Sequence, residues 1–260
     1  MPTDKQRRQA AQRHLQKQLE RRAEQTARRR RNLAIVATVV SVLVVVGAVL
    51  LLTGVFSGDD DTENDTTAAA ETGACTYVAD TSGNPDLTEV DVPSGDVPTT
   101  GTRAVTMSTN FGDIGLTLDQ ENAPCAAGAI VHLAEQGFFD NTNCHRETNS
   151  PNLQVLQCGD PSGTGRGGAA FDYPTQATGE ETYPRGTVAM ANSGQGSDGS
   201  QFFLVFGDSL EGNPNYTVVG TIDEPGLAVL DSIATNGIAD GAADGPPAEP
   251  VTITAMTVAG

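Results

Sequence analysis

The chain has 260 residues, with 15 basic against 33 acidic side chains and a formal net charge of −18 at pH 7, and it is long enough for one full domain with extensions. All the basic residues but four lie within residues 1–32, and the acidic remainder repels nucleic-acid phosphates, which sets aside nucleic-acid binding by the main domain. The four exceptions are Arg103, Arg146, Arg166 and Arg185, and among so few cations each is expected to have a task.

Residues 1–32 form a polar, basic arm with Leu15 and Leu19 at helical spacing. Such an arm is suited to anionic lipid headgroups, where each basic side chain gains roughly 1 kcal/mol. Leu33 to Phe56 then carries no charged residue. About 20 apolar residues span a bilayer, whereas the apolar part of a secretory signal runs only about 7–15. Arginines precede this run and Asp59, Asp60 and Asp61 follow it. The bias predicts a single-pass transmembrane helix over 33–56 in the cell membrane, with the N-terminus cytoplasmic and the rest of the chain extracytoplasmic. Cleavage around Ala68–Ala70 is the alternative. Residues 57–73 are acidic, rich in small residues and without periodicity, and read as a flexible linker. The aspartates lack the alternating spacing and closing glutamate of a calcium loop.

The extracytoplasmic domain is expected over 74–260. Its first part, Cys75 to Gly101, is rich in turn residues and is expected to wrap the surface. From Arg103 the pattern is β: Ala104–Ser108 and Ile114–Leu118 flank Asn110-Phe111-Gly112-Asp113 as a hairpin. Pro124 opens a helix whose apolar face holds Ala127, Ile130, Val131 and Ala134, with Gly137 as its stop. After Asp160 come glycine-punctuated strands, a second amphipathic helix at Leu227–Ile233, and a closing strand over Val251–Val258. Many short strands with a helix towards each end predict a mainly β fold, a closed antiparallel barrel capped by two helices.

Cys75, Cys125, Cys144 and Cys158 form an even set in a region expected to permit disulfides. No Cys-x-x-Cys occurs and the histidines are badly spaced for zinc, so no metal site is expected. Three pairings are possible. Cys144 and Cys158 bracket a hairpin and would face each other across it, leaving Cys75 for Cys125; this is the favoured pairing, and the others stay open.

Two stretches carry the chemistry. The first runs from Cys144-His145-Arg146 to Gln157-Cys158-Gly159-Asp160. The second joins Ala191-Asn192, a glycine-rich loop, and Gly199-Ser200-Gln201-Phe202-Phe203 opening an apolar strand. Together they resemble the cyclophilins, the peptidyl-prolyl cis-trans isomerases, and the likeness covers Ala104 to the C-terminus. The cysteine positions are similar to those of membrane-anchored actinobacterial members. The resemblance implies the same capped barrel, proline-containing polypeptide substrates, and assistance to the folding of extracytoplasmic proteins. No cofactor is expected, and a monomer is.

The residues suit that chemistry on physical grounds. Rotation about a peptide bond is opposed by a barrier of about 18–20 kcal/mol, and at Xaa-Pro bonds exchange takes tens to hundreds of seconds. Lowering the barrier requires an apolar slot for the proline ring and a donor aimed at the prolyl amide, and no nucleophile. Arg146 is the candidate donor, being permanently charged with a rigid fork of N–H bonds. Gln157 on the neighbouring strand orients it, and Phe203 floors the slot. Val155 and Leu156 are assigned to the wall, with Leu153 and Gln154 competing for it. Ala191 and Asn192 present backbone groups, Gln201 contacts substrate, and Leu210 and Tyr216 close the slot. Phe202, on the opposite face from Phe203, is expected in the core, and His145 is read as structural.

Three departures from the family pattern stand out. A longer loop is expected over Glu147–Leu153 where the family has a short turn and an aromatic, the usual Trp-Leu pair is missing, and Tyr216 stands where many members carry His. They imply reduced activity and weak binding of cyclosporin-type inhibitors. The alternative function is a catalytically weak proline-binding module or chaperone with the same groove. Gly163-Thr164-Gly165-Arg166-Gly167-Gly168 matches a dinucleotide fingerprint literally, but Ala169–Pro174 after it is no helix, so it is read as a turn.

Overall fold

The computed structural model describes residues 72–192 and 196–260. The basic arm, the apolar run Leu33–Phe56 and nearly all of the acidic linker lie outside the described residues. Among those described, no helix is long and apolar enough to cross a membrane.

The chain begins with β1 (Thr72–Ala74), β2 (Val78–Ala79), β3 (Leu87–Thr88) and β4 (Asp96–Pro98). A hairpin of β5 (Thr102–Thr109) and β6 (Gly112–Asp119) follows, fully in register from Thr102↔Asp119 to Thr109↔Gly112. Helix α1 (Pro124–Glu135) comes next. Its N-cap, Ala123, has no side-chain acceptor to offer, and the Ala126 N–H is taken up instead by Gln176 Oε1 at 2.9 Å. Gly137 ends it with a φ of 66°, the left-handed geometry that glycine adopts without steric cost. The middle of the chain supplies β7 (Thr142–Cys144), β8 (Arg146–Ser150), β9 (Leu153–Cys158), β10 (Gly168–Ala169) and β11 (Phe171–Pro174). The rest supplies β12 (Thr187–Asn192), β13 (Ser197–Gly207), β14 (Val218–Ile222), helix α2 (Glu224–Asn236), β15 (Asp244–Gly245) and β16 (Val251–Val258). Asp223 caps α2 by accepting from the Gly226 N–H at 2.8 Å.

The main sheet runs β15-β8-β9-β13-β12-β14-β6-β5-β16-β7 and curls round a core, with both helices packed on it. It is open, which corrects the closed barrel expected from the strand pattern. The gap has a local cause. The chain passes from β7 to β8 through the single residue His145, yet these strands sit at opposite ends of the sheet order. Both edges of β8 are already taken, by β9 and by β15, so β7 has no edge there to join. The Cys144–Cys158 disulfide ties β7 to β9 at this seam, and Cys75–Cys125 is the second bridge. The favoured pairing is therefore the observed one, although Cys144 lies on the strand before the β8–β9 hairpin rather than within it.

Side-chain alternation along β13 sorts residues between two apolar clusters. Phe202, Leu204 and Phe206 face the main core with Met107, Leu116, Ile130, Leu133, Phe139 and Leu230. Phe203 and Val205 face the other way, into a smaller cluster with Val155, Tyr183 and Ala189. The site is built on this second, outward face.

The N-terminal strands form a strap. β1 pairs with β4, β2 with β11, and β3 in parallel with β10. Tyr77 packs edge-on against Phe171 and Tyr173 and donates to the Cys125 carbonyl at 2.7 Å. The strap crosses α1 at Gly128, where a Cβ would come within 2.7 Å of Val97 Cγ1. Only a residue without a side chain permits that approach.

Candidate active site

Three adjacent strands of the outward face place the central residues in one row. Arg146 on β8 is in register with Gln157 on β9, and Gln157 is in register with Phe203 on β13. The row continues to Ala189 on β12. A second row, Thr148, Val155 and Val205, lies two residues along. These strands are antiparallel and regular here, so the side chains of each row stand together on one side.

A cavity of about 220 Å³ lies over these rows, lined by Arg146, Leu153, Val155, Gln157, Phe203 and Tyr216 with Ala191, Asn192 and Leu210 at its margin. Arg146 is the one cation among its described lining residues. The Phe203 and Tyr216 rings meet edge to face, with centroids 5.4 Å apart. Tyr183, behind them, fixes Tyr216 through both backbone groups: its hydroxyl donates to the Tyr216 carbonyl at 3.0 Å and accepts from the Tyr216 N–H at 2.9 Å. Burial pushes the Tyr183 phenol up to about 12, so it stays protonated and able to donate. Leu210 holds a φ of 57°, a left-handed backbone unusual for a branched side chain. It is held there by the β8–β9 turn, since its N–H donates to the Asn152 carbonyl at 2.9 Å.

A chain of polar contacts crosses the groove. Arg146 Nη1 donates to Gln157 Oε1 at 3.2 Å, and Gln157 Nε2 donates to Gln201 Oε1 at 2.8 Å. Gln201 Nε2 in turn donates to the Gly167 and Gly165 carbonyls at 2.8 and 3.2 Å. That glycine turn is organised by buried Asp160, which accepts from the Gly165 and Gly167 N–H groups. The segment that superficially matches a dinucleotide fingerprint is therefore a brace for Gln201. Gln157, Ala191 and Asn192 also border a larger cavity of about 450 Å³ that includes Gln201 and Asp198. Asp198 is buried, accepts from the Thr217 hydroxyl at 2.6 Å, and has its carboxyl raised by desolvation.

On its other side Arg146 meets Asp244, with Nε to Oδ1 at 2.7 Å and Nη2 to Oδ2 at 2.8 Å. These bonds raise the guanidinium further above its usual value and hold the Asp244 carboxyl below the ordinary carboxylate range.

The structure brings together Arg146, Val155, Gln157, Ala191, Asn192, Phe203, Leu210 and Tyr216, with Gln201 joined through Gln157. Leu156 is not among them. It is fully buried in the main core, because strand alternation turns it away from Val155 and Gln157. Leu153, which shares their face, takes the wall position. The long loop expected over Glu147–Leu153 is also corrected: residues 146–150 and 153–158 form a hairpin closed by Pro151 and Asn152. Phe202 is fully buried in the main core. His145 lies outside the cavity, with its ring beside Gly165, and desolvation by burial lowers its pKa and favours the neutral form. Tyr183 and Asp244 escaped sequence reasoning. Tyr183 sits in a turn-rich segment with no motif, and Asp244 is separated from Arg146 by 98 positions.

The family model described as cyclophilin type peptidyl-prolyl cis-trans isomerase/CLD matches residues 104–258. A Mycobacterium leprae protein named probable peptidyl-prolyl cis-trans isomerase B is 49% identical over 176 residues, covering 63% of this chain and 59% of the relative. Its Mycobacterium tuberculosis namesake is 48% identical over 176 residues, covering 63% and 57%. The chain thus spans less than two thirds of the length of these relatives. A Helicobacter pylori peptidyl-prolyl cis-trans isomerase is 38% identical over 139 residues, covering 53% of this chain and 83% of that one. In fold, the chain is similar to a Cryptosporidium parvum cyclophilin type peptidyl-prolyl cis-trans isomerase, with a TM-score of 0.53 at 24% identity, covering 62% of this chain and 99% of that one.

Proposed function

Because this chain belongs to the cyclophilin type peptidyl-prolyl cis-trans isomerase family, we propose that its groove binds proline-containing polypeptide and speeds rotation about the Xaa-Pro bond. The observation that carries this is the row Arg146–Gln157–Phe203, which sets a fixed cationic donor beside an apolar slot. The proline ring enters over Phe203 between Leu153, Val155, Leu210 and Tyr216. The remaining N–H bonds of Arg146 then reach the prolyl nitrogen, whose lone pair is released as the amide twists. A donor at that atom favours the twisted amide over either planar form, and binding the twisted form more tightly is what lowers the barrier. No bond breaks and no proton moves, so neither a nucleophile nor a cofactor has a part.

The place of action belongs to the same proposal. The apolar run Leu33–Phe56 anchors the chain in the cell membrane with the isomerase domain outside, acting on extracytoplasmic chains as they fold. Two disulfides support an oxidising compartment. Accessibility of single introduced cysteines at positions 20 and 65 to a membrane-impermeant thiol reagent tests the topology; labelling at 20 alone would reverse it.

Exchange NMR on a short Xaa-Pro peptide with the full chain tests the activity. Accelerated cis-trans exchange is the expected result. Binding without acceleration would identify a proline-binding module, and no binding at all would leave the groove without this role.

A further inference from the structure

Exposed ion pairs usually add little to stability, and the Arg146–Asp244 pair is partly exposed on both sides, at 38% and 57% of the side chains. Its geometry nevertheless is specific. Both carboxylate oxygens are engaged, by Nε and by Nη2, in a two-pronged contact that fixes the guanidinium plane as well as its position. Gln157 holds Nη1 from the other side. Of the five N–H bonds that an arginine carries, these contacts commit three, and one is left on each terminal nitrogen to act on substrate.

The chain around Asp244 is itself held. After α2, residues 237–248 form a loop closed at its base by Ala239 N–H to the Pro246 carbonyl at 3.0 Å and Ala248 N–H to the Gly237 carbonyl at 2.8 Å. Ile238, buried at its root, bridges to Pro247. The loop's tip is β15, which pairs with β8 itself: Asp244 stands opposite Thr148, and the Asn149 N–H donates to the Ala243 carbonyl at 3.0 Å. The carboxylate is thus fastened to the same strand that carries Arg146, two residues from it, and the pair moves as one piece.

We propose that Asp244 is a positioning residue for isomerisation, acting through Arg146 by fixing the guanidinium so that its free N–H bonds face the prolyl amide. This rests on the isomerase function proposed above. Without Asp244 the guanidinium pivots on the single contact to Gln157 and spends most of its time out of register with the twisted amide. A displacement of ~1 Å in a catalytic group costs up to about 100-fold.

The test measures peptide exchange and peptide affinity with the full chain carrying Asp244→Ala, Asp244→Asn or Asp231→Ala. Asp231 makes a comparable two-pronged pair with Arg185, which is absent from the groove lining. Asp244→Ala is expected to lower kcat/KM by about 10-fold or more through kcat, with affinity little changed. Asp244→Asn, which keeps one acceptor, falls between, and Asp231→Ala turns over as the wild type does. In an Arg146→Ala background Asp244→Ala adds nothing, because the carboxylate has no guanidinium to position. The Arg146 Nε–H resonance is expected to be sharp in the wild type, where Asp244 accepts from it, and to broaden by solvent exchange in Asp244→Ala. Unchanged turnover, an equal loss in both backgrounds, or an unaltered Nε–H resonance overturns the inference. A wild-type chain that fails to accelerate exchange defeats the isomerase function, and the resonance still reports whether Asp244 holds Arg146.

Discussion

Arg146 and Phe203 are separated by a single strand, and Gln157 on that strand is in register with both. The proposed donor and the proposed floor of the slot are thereby set by β-sheet geometry rather than by a loop. Adjacent strands lie about 4.8 Å apart, which fixes the span from guanidinium to ring at roughly two strand widths.

Arg146→Lys is expected to lose activity almost as fully as Arg146→Ala. Lysine keeps the charge but has no planar fork, so it cannot make the two-pronged contact to Asp244 that fixes the direction of the remaining donors. Removing one preorganised donor of this kind costs on the order of 100-fold in kcat. The exchange rate of an Xaa-Pro peptide, measured at saturating enzyme, checks it. The melting temperature stays close to that of the wild type, because Arg146 sits at the rim of the groove.

The two disulfides are expected to separate stability from activity. Cys144–Cys158 spans the seam between β7 and β9, with Gln157 next to Cys158 and Arg146 two residues from Cys144. Cys75–Cys125 ties the strap to α1. Replacing either pair by alanines costs about 2–4 kcal/mol. Only loss of Cys144–Cys158 also lowers kcat, since the strands carrying the donor and its partner are then free to shift. Thermal melts and peptide exchange on the two double variants decide the matter; equal effects on kcat would count against the distinction.

Glu147→Leu is expected to stabilise the fold. Glu147 is fully buried on the inner face of β8, and neither carboxylate oxygen has a hydrogen-bond partner among the described residues. An unpaired buried polar group costs about 1–3 kcal/mol. Burial raises its pKa above 4.5, so the fold prefers the protonated form. Stability from that preference is complete below the unfolded value and is lost as pH rises through the folded one. The gain from Glu147→Leu is therefore larger at pH 7 than at pH 4, and denaturant titrations at both pH values measure it.

Tyr183 supplies a second pH test. Its folded value of about 12 lies above the ordinary 10.0. Stability is unaffected by this group below pH 10 and falls as pH rises towards 12, where the unfolded chain ionises and the folded one does not. Tyr183→Phe makes that alkaline slope shallower without abolishing it, because burial also raises the phenols of Tyr77 and Tyr173. It also costs about 1–2 kcal/mol at neutral pH, because the clamp on Tyr216 is lost. An alkaline unfolding curve unchanged by the substitution would exclude Tyr183 as a contributor to it.

Much of this was legible from local pattern. The β5–β6 hairpin shows in alternating apolar residues around a turn, α1 in Pro124 and its i, i+3, i+4 apolar face, and β16 in its final alternation. Arg146, Gln157, Gln201 and Phe203 were legible because two motifs carry them. Other features depend on tertiary placement that the local pattern leaves unspecified. Strand phase decided between Leu153 and Leu156: one residue of register reverses the face. The open seam reflects competition for the edges of β8, which involves the two-residue strand β15, too short to announce itself. Asp244 belongs to that same strand, so the partner of Arg146 was hidden with it.

The strap has a mechanical consequence. A pull on the chain ahead of Cys75 can strip β1 from β4 but unravels no more of the strap, because the covalent bridge from Cys75 to Cys125 passes the load into the first turn of α1. Everything between Cys75 and Cys125, including the β5–β6 hairpin, lies in parallel with that bridge and carries only what it does not. The groove strands β8, β9 and β13 come later in the chain and sit outside the loaded loop. Tension on the N-terminal side is thus borne at the helix, on the far side of the sheet from Arg146.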